Sequence, residues 1–172
     1  MKKLFLFAAI LFAGVSVVKA QDGNPVNATA NLKVTLHRFQ HIAVADADVH
    51  LEYNSLDLYK NGAEDIKPEH LVVNSAGAYT VTVESTKLTF GETTFDPTNI
   101  TVATTGDGAI EGAMKIGFTG SPTTIINNNK GGIELKYDVL YKGAGDYNLM
   151  QYSDGKETTV YESTVTYTIA AK

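Results

Sequence analysis

The residues best able to do chemistry in this chain are its carboxylates, histidines and tyrosines, because it contains no cysteine. Thiolate catalysis, thiolate metal sites and disulfide exchange are therefore excluded. Asp46-Ala47-Asp48 holds two carboxylates two residues apart, on one side of an extended segment. Asp46 and Asp48 are thus the candidate metal ligands, with Ca2+ the fitting ion. Calcium takes about six to eight oxygens. Asp138, Asp146 and Asp154 would have to contribute, and the sequence holds no EF-hand loop. The expectation is a solvated acidic loop and no cofactor. His37 and His41 are four apart, a spacing that aligns on a helix but not across a break between strands. A zinc site would need them to converge with Asp46 or Asp48. The histidines, with His50 and His70, are expected to be exposed polar side chains near strand ends. No G-x-S-x-G is present. Nothing singles out two of the 19 acids as a glycosidase pair, and no Trp lines a sugar cleft. The expectation is a protein that is not an enzyme.

Two segments are candidate binding elements. Lys142–Lys156 carries Tyr147, Met150 and Tyr152 beside Asp146, Asn148 and Gln151. A tyrosine ring offers an apolar face and a hydrogen-bonding tip. Tyr147, Asn148, Gln151 and Tyr152 therefore form a candidate ligand-binding set for a glycan or peptide. The alternative is a hairpin loop whose tyrosines fold back over the core edge. The second segment follows a flexible lead-in at Gln21–Asn27. In it Ala28, Ala30, Leu32, Val34 and Leu36 alternate with Thr29, Asn31, Lys33 and Thr35. Those five residues mark a candidate assembly strand, free at one end, that could complete a neighbour's sheet. Pairing within its own domain is the expected outcome, since edge pairing between chains is usually suppressed.

The elements that must position these residues are strands. Period-two alternation recurs at Tyr79–Glu84, Ile133–Tyr141 and Tyr161–Ile169. Shorter strands are expected at Val49–Tyr53, Leu71–Val73, Lys87–Phe90, Ile100–Ala103 and Met114–Phe118. Turn formers separate them, among them Asn61-Gly62, Asp96-Pro97, Gly106-Asp107-Gly108 and Gly131-Gly132. Asn54–Gly62 is expected to be a strand entering a hairpin rather than a helical turn. Thr104–Gly112 and Gly120–Gly132 are expected to be loops. The fold class is all-β: one antiparallel, Ig-like sandwich of about eight or nine strands over residues 28–172.

The first twenty residues have the pattern of an export signal. Lys2 and Lys3 precede an apolar run, Leu4–Val18, and Val18-Lys19-Ala20 suits a signal peptidase. The run is shorter than the roughly 20 residues of a membrane span, and no later segment approaches that length. Removing residues 1–20 takes away three of the 14 basic residues and none of the 19 acids, leaving a net charge of −8. An acidic surface with a single arginine, Arg38, excludes nucleic acid as a partner. The expected location is secreted: extracellular, cell-surface or periplasmic.

Gly77-Ala78-Tyr79-Thr80-Val81-Thr82-Val83-Glu84-Ser85 and Ser163-Thr164-Val165-Thr166-Tyr167-Thr168-Ile169 resemble the two signature strands of WxL-type cell-surface domains. Tyr79-Thr80-Val81 and Tyr167-Thr168-Ile169 occupy the places of that family's aromatic-x-aliphatic triplets, without its tryptophan. The chain also looks similar to secreted, pilus- or coat-like β-sandwich proteins of the Bacteroidota. The resemblance implies a secreted β-sandwich held at the cell envelope within surface complexes. The expected function is a surface or envelope structural subunit that assembles with itself or with other surface proteins. The alternative is an extracellular glycan- or peptide-binding module using the Tyr147–Tyr152 loop.

Overall fold

The computed structural model describes residues 27–95, 99–118, 120–153, 155 and 158–172. The expected signal segment and residues 21–26 of the lead-in lie outside the described residues, as does Asp154. The chain divides into two units, Met1–His37 and Arg38–Lys172. In the first, residues 27–37 adopt no helix or strand.

The second unit is an antiparallel β-sandwich. In chain order its elements are β1 (Gln40–Val44), α1 (Leu56–Asn61), β2 (Glu64–Ser75), β3 (Tyr79–Ser85), β4 (Leu88–Phe90) and β5 (Thr93–Phe95). There follow β6 (Ile100–Thr105), β7 (Met114–Lys115), β8 (Gly117–Phe118), β9 (Thr123–Asn128), β10 (Gly132–Gly143), a 3-10 helix (Tyr147–Tyr152) and β11 (Val165–Ala171). One sheet has the order β1-β2-β10-β6-β7. The other is built on β11-β3-β9, with two residues of β8 running parallel to the end of β3. β4 and β5 form a separate hairpin.

The two sheets meet through the side chains that alternation turns inward. Tyr79, Val81 and Val83 of β3 and Ile125 and Ile126 of β9 come from one sheet. Leu71 and Val73 of β2, Val102 of β6, and Tyr137, Val139 and Tyr141 of β10 come from the other. All are essentially fully buried. Each such side chain contributes about 1.5–3 kcal/mol of apolar burial, which lets the chain fold without a disulfide. Buried hydroxyls are paired. Tyr137 donates to Asp107 O at 2.7 Å, so Tyr79 is the donor in the 2.5 Å contact between the two tyrosines. Asn128 Nδ2 closes the group by donating to Asp107 O at 2.8 Å.

Several expectations are corrected. Ala28–Leu36 forms no strand, and neither does Val49–Tyr53. Asn54–Gly62 holds a helix because its caps are well formed. The Ser55 hydroxyl accepts the Leu58 N–H at 3.4 Å, Asp57 lies in the first turn, and Gly62 at φ +95° ends it. A Cβ at Gly62 would fall 2.2 Å from Gly143 O, so only glycine fits there. Gly120–Gly132 is a strand in its middle, β9. A register shift between Val81 and Thr82 leaves Ile125 unpaired, and both Ile125 and Ile126 turn inward. Their burial outweighs the turn-forming asparagines around them.

Two bulges interrupt the β2–β10 pairing, and each holds a non-glycine residue at positive φ: Glu69 (+48°) and Glu134 (+52°). In each the N–H that leaves the ladder meets a side chain of the opposite strand. Glu69 N–H donates to Asp138 Oδ1 at 2.7 Å, and Glu134 N–H to Asn74 Oδ1 at 2.9 Å. The first bulge turns His70 inward beside Leu71. The second shifts Ile133 out of the inward row, leaving it 83% exposed.

Tyr137→Phe keeps the ring but leaves the buried Tyr79 hydroxyl without the acceptor for its proton, while Asp107 O keeps the Asn128 amide. Denaturant unfolding is expected to show a loss of about 1–3 kcal/mol; an unchanged midpoint would contradict the paired-hydroxyl account.

Candidate functional site

The surface of the described residues concentrates its unusual chemistry in the N-terminal segment. Leu32, Val34 and Leu36 are 90%, 70% and 88% exposed. Ala28 and Ala30 are exposed too. Branched apolar side chains facing water in alternation with polar ones are the most prominent exposed apolar group of that segment. The sequence placed these residues in a strand. The structure shows them exposed and outside any helix or strand.

The carboxylates are engaged in local structure. Asp46 pairs with Lys67 Nζ at 2.8 Å and accepts the Asp48 N–H at 3.0 Å. The lysine's hydrogen bond, then the Asp48 amide, hold its carboxyl below the usual range. Lys67 also reaches Asp65 at 3.4 Å. Asp138 plugs the Glu69 bulge, and Asp146 caps the 3-10 helix by accepting the Asn148 N–H at 2.8 Å. Among the described residues no three histidines, aspartates or glutamates gather where a metal could sit.

The Tyr147–Tyr152 segment is a 3-10 helix. Asn148 and Gln151 are exposed, and Met150 is half exposed. The Tyr152 ring packs edge-on against Tyr161 at 6.4 Å, and the Tyr161 hydroxyl donates to Tyr152 O at 2.8 Å. Tyr161 in turn packs on Phe90 of β4. Tyr152 thus packs, through Tyr161, toward the β4–β5 hairpin. The side chain of Tyr147 lies outside the described residues.

His41 and His50 are exposed, as expected. His70 is not, at 1% exposure. No local signal marks it, because the bulge that rotates it depends on β10. Its Nε2 lies 2.8 Å from the Tyr141 hydroxyl, which also contacts the Tyr167 hydroxyl of β11. Among the described residues its Nδ1 has no hydrogen-bond partner. Burial lowers the His70 pKa, with a smaller opposing effect from Asp46. Burial likewise pushes the Tyr141 hydroxyl up to about 12. The three rings tie β2, β10 and β11 together as neutral hydrogen-bonding groups.

Two shallow apolar depressions mark the larger sheet. One, of about 330 Å3, is lined by Phe39, Asn74, Ser75, Ala76, Gly132 and Ile133. The other, of about 280 Å3, is lined by Ile66, Ala103, Thr105, Asp138 and Leu140. Neither brings two titratable groups together. Among the described residues no helix is long and apolar enough to cross a membrane.

Fold and site define an antiparallel all-β sandwich carrying an exposed, alternating N-terminal segment. No family model matches the chain, and no curated protein matches it either.

A depressed histidine pKa makes the folded state the poorer proton binder. Stability is then full above the unfolded value of about 6.5 and falls as pH drops through it. The melting temperature is expected to fall between pH 7.5 and 5.5, and His70→Gln to flatten that fall. Asp46 titrates well below this window. An equal slope in the variant would remove His70 as its cause.

Proposed function

We propose that the chain is an exported, non-catalytic structural subunit of the cell surface or envelope, which assembles with copies of itself or with other surface proteins. Ala28–Leu36 is its assembly strand. The observation that carries this reading is the exposure of Leu32, Val34 and Leu36 in a segment with strand-like alternation. Covering each is worth about 1.5–3 kcal/mol, and pairing the segment's backbone with a sheet edge adds main-chain hydrogen bonds. The export-type N-terminus, the acidic balance and the resemblance to surface sandwich domains support the same reading.

Purified Gln21–Lys172 is expected to form oligomers or filaments, seen by size-exclusion with light scattering and by negative-stain microscopy. Deleting Gln21–Leu36 should leave monomers. Leu32→Asp with Leu36→Asp should do the same while shifting the melting temperature little, because neither side chain is buried. Assembly that survives both changes would overturn the role of the segment. A monodisperse full-length protein retained on polysaccharide, and released by Tyr152→Ala, would favour a binding module at the 3-10 helix instead.

A further inference from the structure

We infer that His70, Tyr141 and Tyr167 form a latch that holds strand β11 to the larger sheet and releases it when the imidazole takes up a proton. This acid-opened seam is a property of the sandwich unit alone and goes beyond the assembly reading.

Along one side of the sandwich β1 of the larger sheet lies against β11 of the smaller one. No ladder joins them: among the described residues β1 pairs with β2, and β11 with β3. The core is thinly covered here. Val165, Tyr167 and Ile169 of β11 pack on it but stay partly exposed, whereas Val81 and Val83 of β3 are fully buried. Polar bonds therefore carry part of the closure. One lies in water, where the Arg38 guanidinium donates to Lys172 O at 3.1 Å. Another is buried. His70 Nε2 of β2 lies 2.8 Å from the Tyr141 hydroxyl of β10, which contacts the Tyr167 hydroxyl of β11. Both tyrosine rings meet the imidazole edge-on, at 5.5 and 6.0 Å between centres.

The unpartnered Nδ1 sets the order of protons in this chain. Buried acceptors are left unpaired more readily than buried N–H groups, which places the imidazole proton on Nε2. His70 then donates to Tyr141, and Tyr141 to Tyr167. A second proton must go to Nδ1. There it adds a buried charge and, among the described residues, an N–H without an acceptor. The charged groups nearby are Asp46, beyond the end of β1, and Asp65 and Lys67 of β2. Each carboxylate is engaged: Asp46 with Lys67 and the Asp48 N–H, Asp65 with Lys67 and the His50 N–H at 2.8 Å. Burial is the largest influence on the ring and holds its pKa below the usual value; Asp46 and Asp65 oppose it, and Lys67 adds to it.

A protonated imidazole is therefore better served by water than by the core. β2 is held by ladders to β1 and β10, and β10 by ladders to β2 and β6. Uncovering the ring from either would break two ladders. β11 lacks a second ladder on its β1 side, and its ring and hydroxyl close on the histidine chain. β1 also has a single ladder, but it supplies no ring against the imidazole among the described residues. Lifting β11 is thus the least costly route to water. A histidine that ionises freely once uncovered favours the open state up to about tenfold more at pH 5.5 than at pH 7.5.

Hydrogen exchange of Gln21–Lys172, read by NMR as protection factors at pH 7.5 and 5.5, tests this. The Thr166, Thr168 and Ala170 amides face β3. They are expected to be at least about tenfold less protected than the amides between β10 and β6. At pH 5.5 they should lose up to about tenfold in protection, in step with the titration of the His70 ring resonances. His70→Gln keeps a donor toward Tyr141 but takes up no proton, and should remove the loss. Tyr167→Phe keeps the ring without its hydroxyl, and should lower the same protection about fivefold already at pH 7.5. If His70→Gln does not fold, the ring titration and Tyr167→Phe decide. Equal protection of β11 and the β10–β6 ladder at both pH values would mean unfolding of the whole sandwich and would overturn the latch. So would no loss at pH 5.5, or a loss that persists in His70→Gln. A loss confined to the Ala45 amide, which donates to His70 O at 2.8 Å, would place the opening at β1 and overturn it as well.

Discussion

The contact between the inner row of β3 and the rows of β2 and β10 is the interaction on which this molecule depends. Tyr79, Val81 and Val83 meet Leu71, Val73, Tyr137, Val139 and Tyr141 with no side chain left in water. With no cysteine to crosslink the chain, area removed from water must outweigh the entropy of ordering it. The tyrosines enlarge that area, and their hydroxyls bring polar atoms that the interior must then satisfy. Pairing Tyr79 with Tyr137, and Tyr141 with Tyr167, meets that requirement and links strands from both sheets.

The long hairpin-like pairing of β2 with β10 shows how irregularity is accommodated. Each bulge breaks the ladder and places a glutamate at positive φ, a conformation that side chains seldom adopt. Asp138 and Asn74 accept the amides so released. The cost of the bulge is thereby limited, and His70 enters the core as a result. A histidine kept neutral by burial ties the fold to pH near neutrality.

Core completion is uneven from strand to strand. β3 is covered on both sides, while β11 ends its sheet with inward side chains partly exposed and alternate backbone groups facing outward. The N-terminal segment exposes Leu32, Val34 and Leu36 and forms no strand. Edge strands of this kind are usually blunted by charge, proline or a bulge. β11 carries none of these between Val165 and Ala171, and β1 of the opposite sheet lies against it instead.

Period-two alternation in the sequence was enough to determine the all-β class and strands β3, β10 and β11, because one buried face forces that pattern wherever a sheet covers a core. It also singled out Ala28–Leu36 and the tyrosine-bearing loop as surfaces of interest. Tertiary structure alone decided the rest. Helix α1 ends where Gly62 passes so close to the Gly143 carbonyl of β10 that no Cβ would fit, a contact the local strand signal does not show. β9 formed because Ile125 and Ile126 had a core to enter. His70 was buried by a bulge whose plug, Asp138, lies far away in sequence. Ala28–Leu36 stayed outside any sheet although its alternation matches that of β3. Alternation states which side chains want cover, but only the arrangement of the other strands determines whether cover exists within the same chain.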